Sequence, residues 1–209
     1  MGFQFNLSSN RAWIWACKRK TLSAWIFALC LCSYGVSYAS EPRDLSLQSV
    51  QVVNLQDQVV AHQPITVEKF PQAQGLMVTF STAVDLYTFA HRHDYSLFVD
   101  SSVCAGNKLD SSKKISLIGY VYNRNGIIDP QNYANKGADE EGIKTYEIFL
   151  FMRTVENASN TDKFNYNLLT TPEDLCFRLG GGNMLGGTFK SNVVLIPKEA
   201  IEHAISVAR

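Results

Sequence analysis

The chain has 209 residues, 46% of them apolar and 18% charged, with 19 basic against 19 acidic side chains. That balance is uneven along the sequence: Arg11, Lys18, Arg19 and Lys20 precede position 41, while every acidic residue lies at Glu41 or later. The part from 41 onward therefore holds 15 basic and 19 acidic residues, a net charge of −4, which argues against nucleic acid as a partner, because phosphate neutralisation dominates such binding.

The first forty residues read as an export signal. Arg11, Lys18, Arg19 and Lys20 form a positive leading region, 22–31 (LSAWIFALCL) is apolar, and 36–40 (VSYAS) supplies small residues at a signal-peptidase spacing. The apolar run is short for a membrane span, which needs about 20 residues. We therefore expect a signal peptide over 1–40, cleaved after Ala39 or Ser40. Lys18-Arg19-Lys20 is not a twin-arginine pair, and Cys30 and Cys32 follow leucines rather than the small residue that lipidation requires. General secretion is expected, leaving 41–209 as a single extracytoplasmic domain, periplasmic or secreted, with no membrane insertion after cleavage.

Cysteine usage points the same way. Cys17, Cys30 and Cys32 lie in the signal, so Cys104 and Cys176 remain as a pair in an oxidising compartment, and a disulfide between them is expected. It would close a loop of about 72 residues.

In chain order, 47–55 and 59–70 are rich in Val, Ile and Gln, with Pro64 breaking the second run. Segment 76–82 alternates, placing Leu76, Val78 and Phe80 on one face, and 95–103 does so through Tyr95, Leu97 and Val99. Between them, 84–93 fits either a helix or a strand. Segments 115–122 (ISLIGYVY) and 145–155 (TYEIFLFMRTV) are apolar on both faces and read as central strands. A long polar loop, 123–142, carries the turn signal Asn125-Gly126. Further strands are expected at 164–169, 175–179 and 192–196. At the end, Ile201, Ala204, Ile205 and Ala208 recur at helical spacing behind Pro197, a residue suited to a first helical turn. The expected fold is mainly β: an antiparallel β-sandwich of about eight strands with a short C-terminal amphipathic helix.

Few residues suggest chemistry. His91-Arg92-His93-Asp94 clusters groups able to bind metal, and on a strand the two imidazoles would share a face. The segment resembles the start of the HxHxD zinc motif of metallo-β-lactamase-type hydrolases. Asp94, however, stands one position early and the adjoining His is absent, so His91, His93 and Asp94 are weak candidates and no metal or other cofactor is expected. Asp129, Asp139, Glu140 and Glu141 lack a calcium-loop spacing, no GxSxG elbow is present, and Asn157-Ala-Ser159 matches an N-glycosylation sequon. The glycine-rich segment 180–187 (GGGNMLGG) is not a phosphate loop. Its Asn183, Met184 and Leu185 are the candidate partner-binding residues, Met184 and Leu185 being apolar groups offered between glycines.

These features suggest an exported, non-enzymatic binding protein with a protein partner, an accessory component of a bacterial envelope or surface assembly. A secreted metal-dependent hydrolase centred on His91 and His93 is the alternative from another class. A carbohydrate-binding module using the strand aromatics is the third.

Overall fold

A computed structural model describes residues 41–55, 57, 74–117, 120–123, 126–128, 143–154 and 164–209. These belong to the compact unit Ala39–Arg209. The expected signal segment 1–40, the strand expected at 59–70, the acidic loop residues and the sequon lie outside the described residues.

Ten strands and two helices are described: β1 (Ser46–Asn54), β2 (Gln74–Thr82), α1 (Leu86–His93), β3 (Ser96–Ala105), β4 (Lys108–Lys114), β5 (Tyr122–Asn123), β6 (Gly126–Ile127), β7 (Lys144–Phe151), β8 (Leu175–Gly182), β9 (Thr188–Lys190), β10 (Val194–Ile196) and α2 (Lys198–Val207). They form two antiparallel sheets, ordered β1-β2-β7-β5-β6 and β10-β8-β3-β4, with β9 also pairing β8. The fold is a β-sandwich.

Alternation in the sequence sets the interior. Successive strand residues face opposite sides, so Leu76, Val78 and Phe80 of β2 lie beside Tyr146, Ile148 and Leu150 of β7 in register, all buried. Leu175, Phe177 and Leu179 of β8 meet them from the second sheet. Phe80 is the junction, its ring centroid 5.7 Å from Tyr146 and 5.4 Å from Phe177. Each of these large side chains contributes roughly 1.5–3 kcal/mol by leaving water. A smaller cluster of Leu55, Tyr122, Phe149 and Phe151 sits on the other face of β7, which is why 145–155 reads as apolar on both sides.

The helices join this interior. In α1, Asp85 caps the start by accepting from the Thr88 N–H at 3.0 Å, and Leu86, Tyr87, Phe89 and Ala90 are buried. The Tyr146 hydroxyl accepts from the Leu86 N–H at 2.9 Å and so ties the helix start to β7. In α2, Ile201, Ala204 and Ile205 are buried, as expected, although Pro197 is the cap rather than the first helical residue. Asn192 closes one side of the sandwich: its side chain accepts from the Leu45 N–H and donates to the Leu45 C=O, both at 2.9 Å, as a paired strand would.

Two expectations need correction. The described residues of 115–122 do not form one continuous central strand: Ile115 stays with the second sheet, while Leu117 and, at the start of β5, Tyr122 pair with β7 of the first. Ile115 bonds to the middle of β3 (N to Ser101 O, 3.1 Å), while Ser116 and Leu117 meet β7 at Phe151 and Leu150. Ile115 and Val121 are buried in the main core and Tyr122 in the smaller cluster. Segment 164–169 forms a turn with one bridge, Asn167 to Arg153, and inserts Tyr166 and Leu168 into the core. One strand, β4 (KLDSSKK), had no expectation: it carries a single apolar residue, Leu109, and an edge strand with lysines needs no apolar alternation and gains protection from mispairing.

Candidate functional site

The expected disulfide is present. Cys104 and Cys176, 72 positions apart, bond with their Cα atoms 5.2 Å apart. Cys176 lies opposite Ser102 on β3, so the bond joins neighbouring strands of one sheet rather than clamping the two sheets together. On the same face, Arg178 donates from Nε (3.1 Å) and Nη2 (2.9 Å) to one oxygen of Asp100. Both partners are partly exposed, a position where an ion pair contributes little to stability. Beside them, Phe98 lies half-exposed over the bare backbone of Gly180.

The glycine-rich segment divides between strand and turn. Gly180, Gly181 and Gly182 complete β8, and only 183–187 forms the turn into β9. Gly181 is required by packing: a methyl group there would collide with the Phe189 ring, which is buried against it. Gly186 is required by geometry, since its φ of +86° lies in the left-handed region that side chains disfavour.

Asn183 holds the turn together. Its Oδ1 accepts from the Gly187 N–H at 2.8 Å and the Leu185 N–H at 3.2 Å. Its backbone N–H bonds to the Gly187 carbonyl at 3.0 Å, and its carbonyl accepts from the Gly186 N–H at 3.1 Å. Its Nδ2 donates to the His93 carbonyl at 2.9 Å, fastening the turn to the end of α1. The result is a braced hairpin tip whose Met184 and Leu185 are 100% and 96% exposed. Of the three candidate residues, Asn183 is the brace and the other two form the presented surface.

The histidine segment is placed differently from its strand reading. His91-Arg92-His93 is the last turn of α1, and Asp94 ends it with a left-handed φ of 54°. Two residues apart on a helix stand roughly 200° apart around the axis, so the imidazoles diverge. His91 is exposed and stacks on Tyr87 (6.0 Å between centroids), while His93 packs between Phe89 (4.9 Å) and Tyr95 (5.3 Å). Among the described residues no group of three or more His, Cys, Asp or Glu side chains is arranged to hold a metal ion. The structure does bring this segment and the glycine turn together, through the His93–Asn183 bond, across 90 positions of sequence.

An open groove of about 630 Å³ runs beside β3 and residues 115–117, with Leu109, Lys114, Leu117, Phe151, Asp100 and Arg178 among its walls. Sequence reading did not find it, nor the Asp100–Arg178 pair. Both depend on strand register, for which the only sequence signal is that Asp100 and Arg178 each interrupt an apolar run. Among the described residues no helix is long and apolar enough to cross a membrane. No protein-family model, no curated protein and no solved structure matches this chain.

Proposed function

We propose that this is an exported, non-enzymatic binding protein that engages a protein partner through the β8–β9 hairpin tip, as an accessory component of an envelope or surface assembly. The observation that carries this reading is the full exposure of Met184 and Leu185 on a turn braced by Asn183. Two adjacent large apolar side chains in water gain roughly 3–6 kcal/mol together when a partner pocket buries them. The turn is already ordered, so little conformational entropy is lost on docking. Such anchors typically dominate an interface, with the surrounding contacts serving to exclude water. An oxidising compartment, periplasmic or extracellular, is supported by the Cys104–Cys176 bond.

The test is a Met184→Ser, Leu185→Ser variant expressed in place of the natural protein and crosslinked in its native envelope. We expect the partner recovered with the natural protein to fall by roughly 100-fold, with the thermal midpoint unchanged, because neither side chain supports the fold. Undiminished recovery of the same partner would move the interface elsewhere.

A further inference from the structure

Among the described residues, the second sheet has an edge that is open along part of its length. β4 pairs β3 only at Ser102, Cys104 and Ala105, and its register slips between Ser102 and Cys104. β3 continues through Ser96, paired with β8 on its other side along the whole run. The Cys104 N–H points to the Asp174 carbonyl, on the β8 side. Because the groups alternate between the two edges of an antiparallel strand, the even-numbered residues Ser96, Phe98, Asp100 and Ser102 also face β8. Leu97, Val99 and Ser101 therefore turn their N–H and C=O groups to the other edge. There the Ser101 carbonyl accepts from Ile115, after which the chain leaves for the first sheet. Among the described residues no hydrogen bond reaches Leu97 or Val99 on that edge. The groove described above lies alongside, with Val99 and Ser101 on one wall and Leu109, Leu117 and Phe151 supplying apolar surface.

We infer that this edge is a docking site for an extended peptide segment of a partner protein, which adds to β3 as a strand at Leu97–Val99 and places an apolar side chain in the groove. Unpaired main-chain groups at a two-residue period specify an extended chain. Its charge is indicated by its surroundings. β4 and the groove carry Lys108, Lys113, Lys114 and Arg178 against Asp100 and Asp110, in a domain whose net charge from 41 onward is −4. A segment with alternating apolar residues and a carboxylate is complementary to the lysines that β4 carries among the described residues. The edge shares no residue with the hairpin tip, so the two surfaces stand or fall separately.

Two measurements on the purified, oxidised protein test the site. The first is amide hydrogen exchange of the free protein. The Phe98 and Asp100 amides should be protected and those of Leu97 and Val99 should exchange quickly, an alternation that a covered edge does not produce. Slow exchange at Leu97 and Val99 would mean that the chain itself occupies the edge, and would overturn the proposal. The second is selection from a random linear peptide library displayed on phage. Enriched peptides should alternate apolar residues and carry Asp or Glu, and their binding should protect the Leu97 and Val99 amides. Val99→Pro removes an N–H that β8 does not use, so the variant should keep its fold while peptide affinity falls by roughly tenfold or more. Peptides that bind this variant as well as the natural protein, or a library with no enrichment, would contradict the inference. The Met184→Ser, Leu185→Ser variant should bind the selected peptides unchanged, which separates failure here from failure at the hairpin tip.

Discussion

Asn183 acts on both sides of the hairpin at once. Its carboxamide oxygen organises the turn from within, and its amide nitrogen anchors that turn to the carbonyl of His93. Replacing it by Asp keeps the acceptor and removes the donor; replacing it by Ala removes both. We expect Asn183→Ala to cost about 1–3 kcal/mol, the range for leaving partly buried groups unsatisfied, and Asn183→Asp to cost less. Chemical denaturation of the three proteins checks the order. A further expectation at this scale is that Asn183→Ala weakens partner binding without touching Met184 or Leu185, since a loosened turn must be ordered again on docking. Met184 and Leu185 were legible in the sequence because two large apolar residues set among glycines have little core to join. The salt-bridged pair Asp100 and Arg178 was not, because facing one another across β3 and β8 is a consequence of register, and local spacing carries no trace of it.

Among the elements, those with a clean period of two were readable: β2 and β3 appear where alternation places them, and β7 where an apolar run reaches both faces. The elements that escaped are those whose burial or pairing comes from topology. Residues 115–122 carry the composition of a central strand, yet Ile115 is bonded to the second sheet, Leu117 and Tyr122 pair with β7 of the first, and Tyr120 is half-exposed. β4 is polar apart from Leu109 and is held by its position at the edge. The Cys104–Cys176 bond joins β3 to β8 at the end of the sheet where β4 departs. Restricting a loop of 72 positions in the unfolded chain places its contribution at about 2–5 kcal/mol. A Cys104→Ser, Cys176→Ser variant should show a loss of that size in denaturant, and addition of reductant should lower the natural protein to the same level and leave the variant unmoved. Equal stability of the natural protein with and without reductant would show that the crosslink contributes nothing.

At the scale of the molecule, three buried phenols link stability to pH. Burial pushes Tyr122 up to about 12, with Tyr120 nearby adding to the effect. Burial likewise raises Tyr146, against the opposing hydrogen bond from Leu86, and Tyr166, against those with Ser116. A phenol is neutral while protonated, so the folded protein holds these protons more tightly than the unfolded chain, whose tyrosines titrate near pH 10. The stabilisation is complete below about pH 10 and is lost as pH rises from there through the folded values. Denaturation midpoints should therefore stay flat from about pH 8 to about pH 9.5 and then fall steeply, and absorbance of phenolate should rise in step with unfolding. Phenolate formation at all three positions well before unfolding would contradict their burial. The whole-molecule architecture was legible in outline because short alternating strands and turn residues allow few arrangements. Which edges are covered, and by what, was settled only by the pairing of the strands. The most direct test of the proposed hairpin-tip interface is a photo-crosslinking amino acid placed at Leu185 in the protein expressed in its native cells. The account predicts one dominant protein adduct that disappears when the crosslinker is moved to Glu202 on the exposed side of α2. An adduct pattern that is diffuse, or the same from both positions, would contradict it.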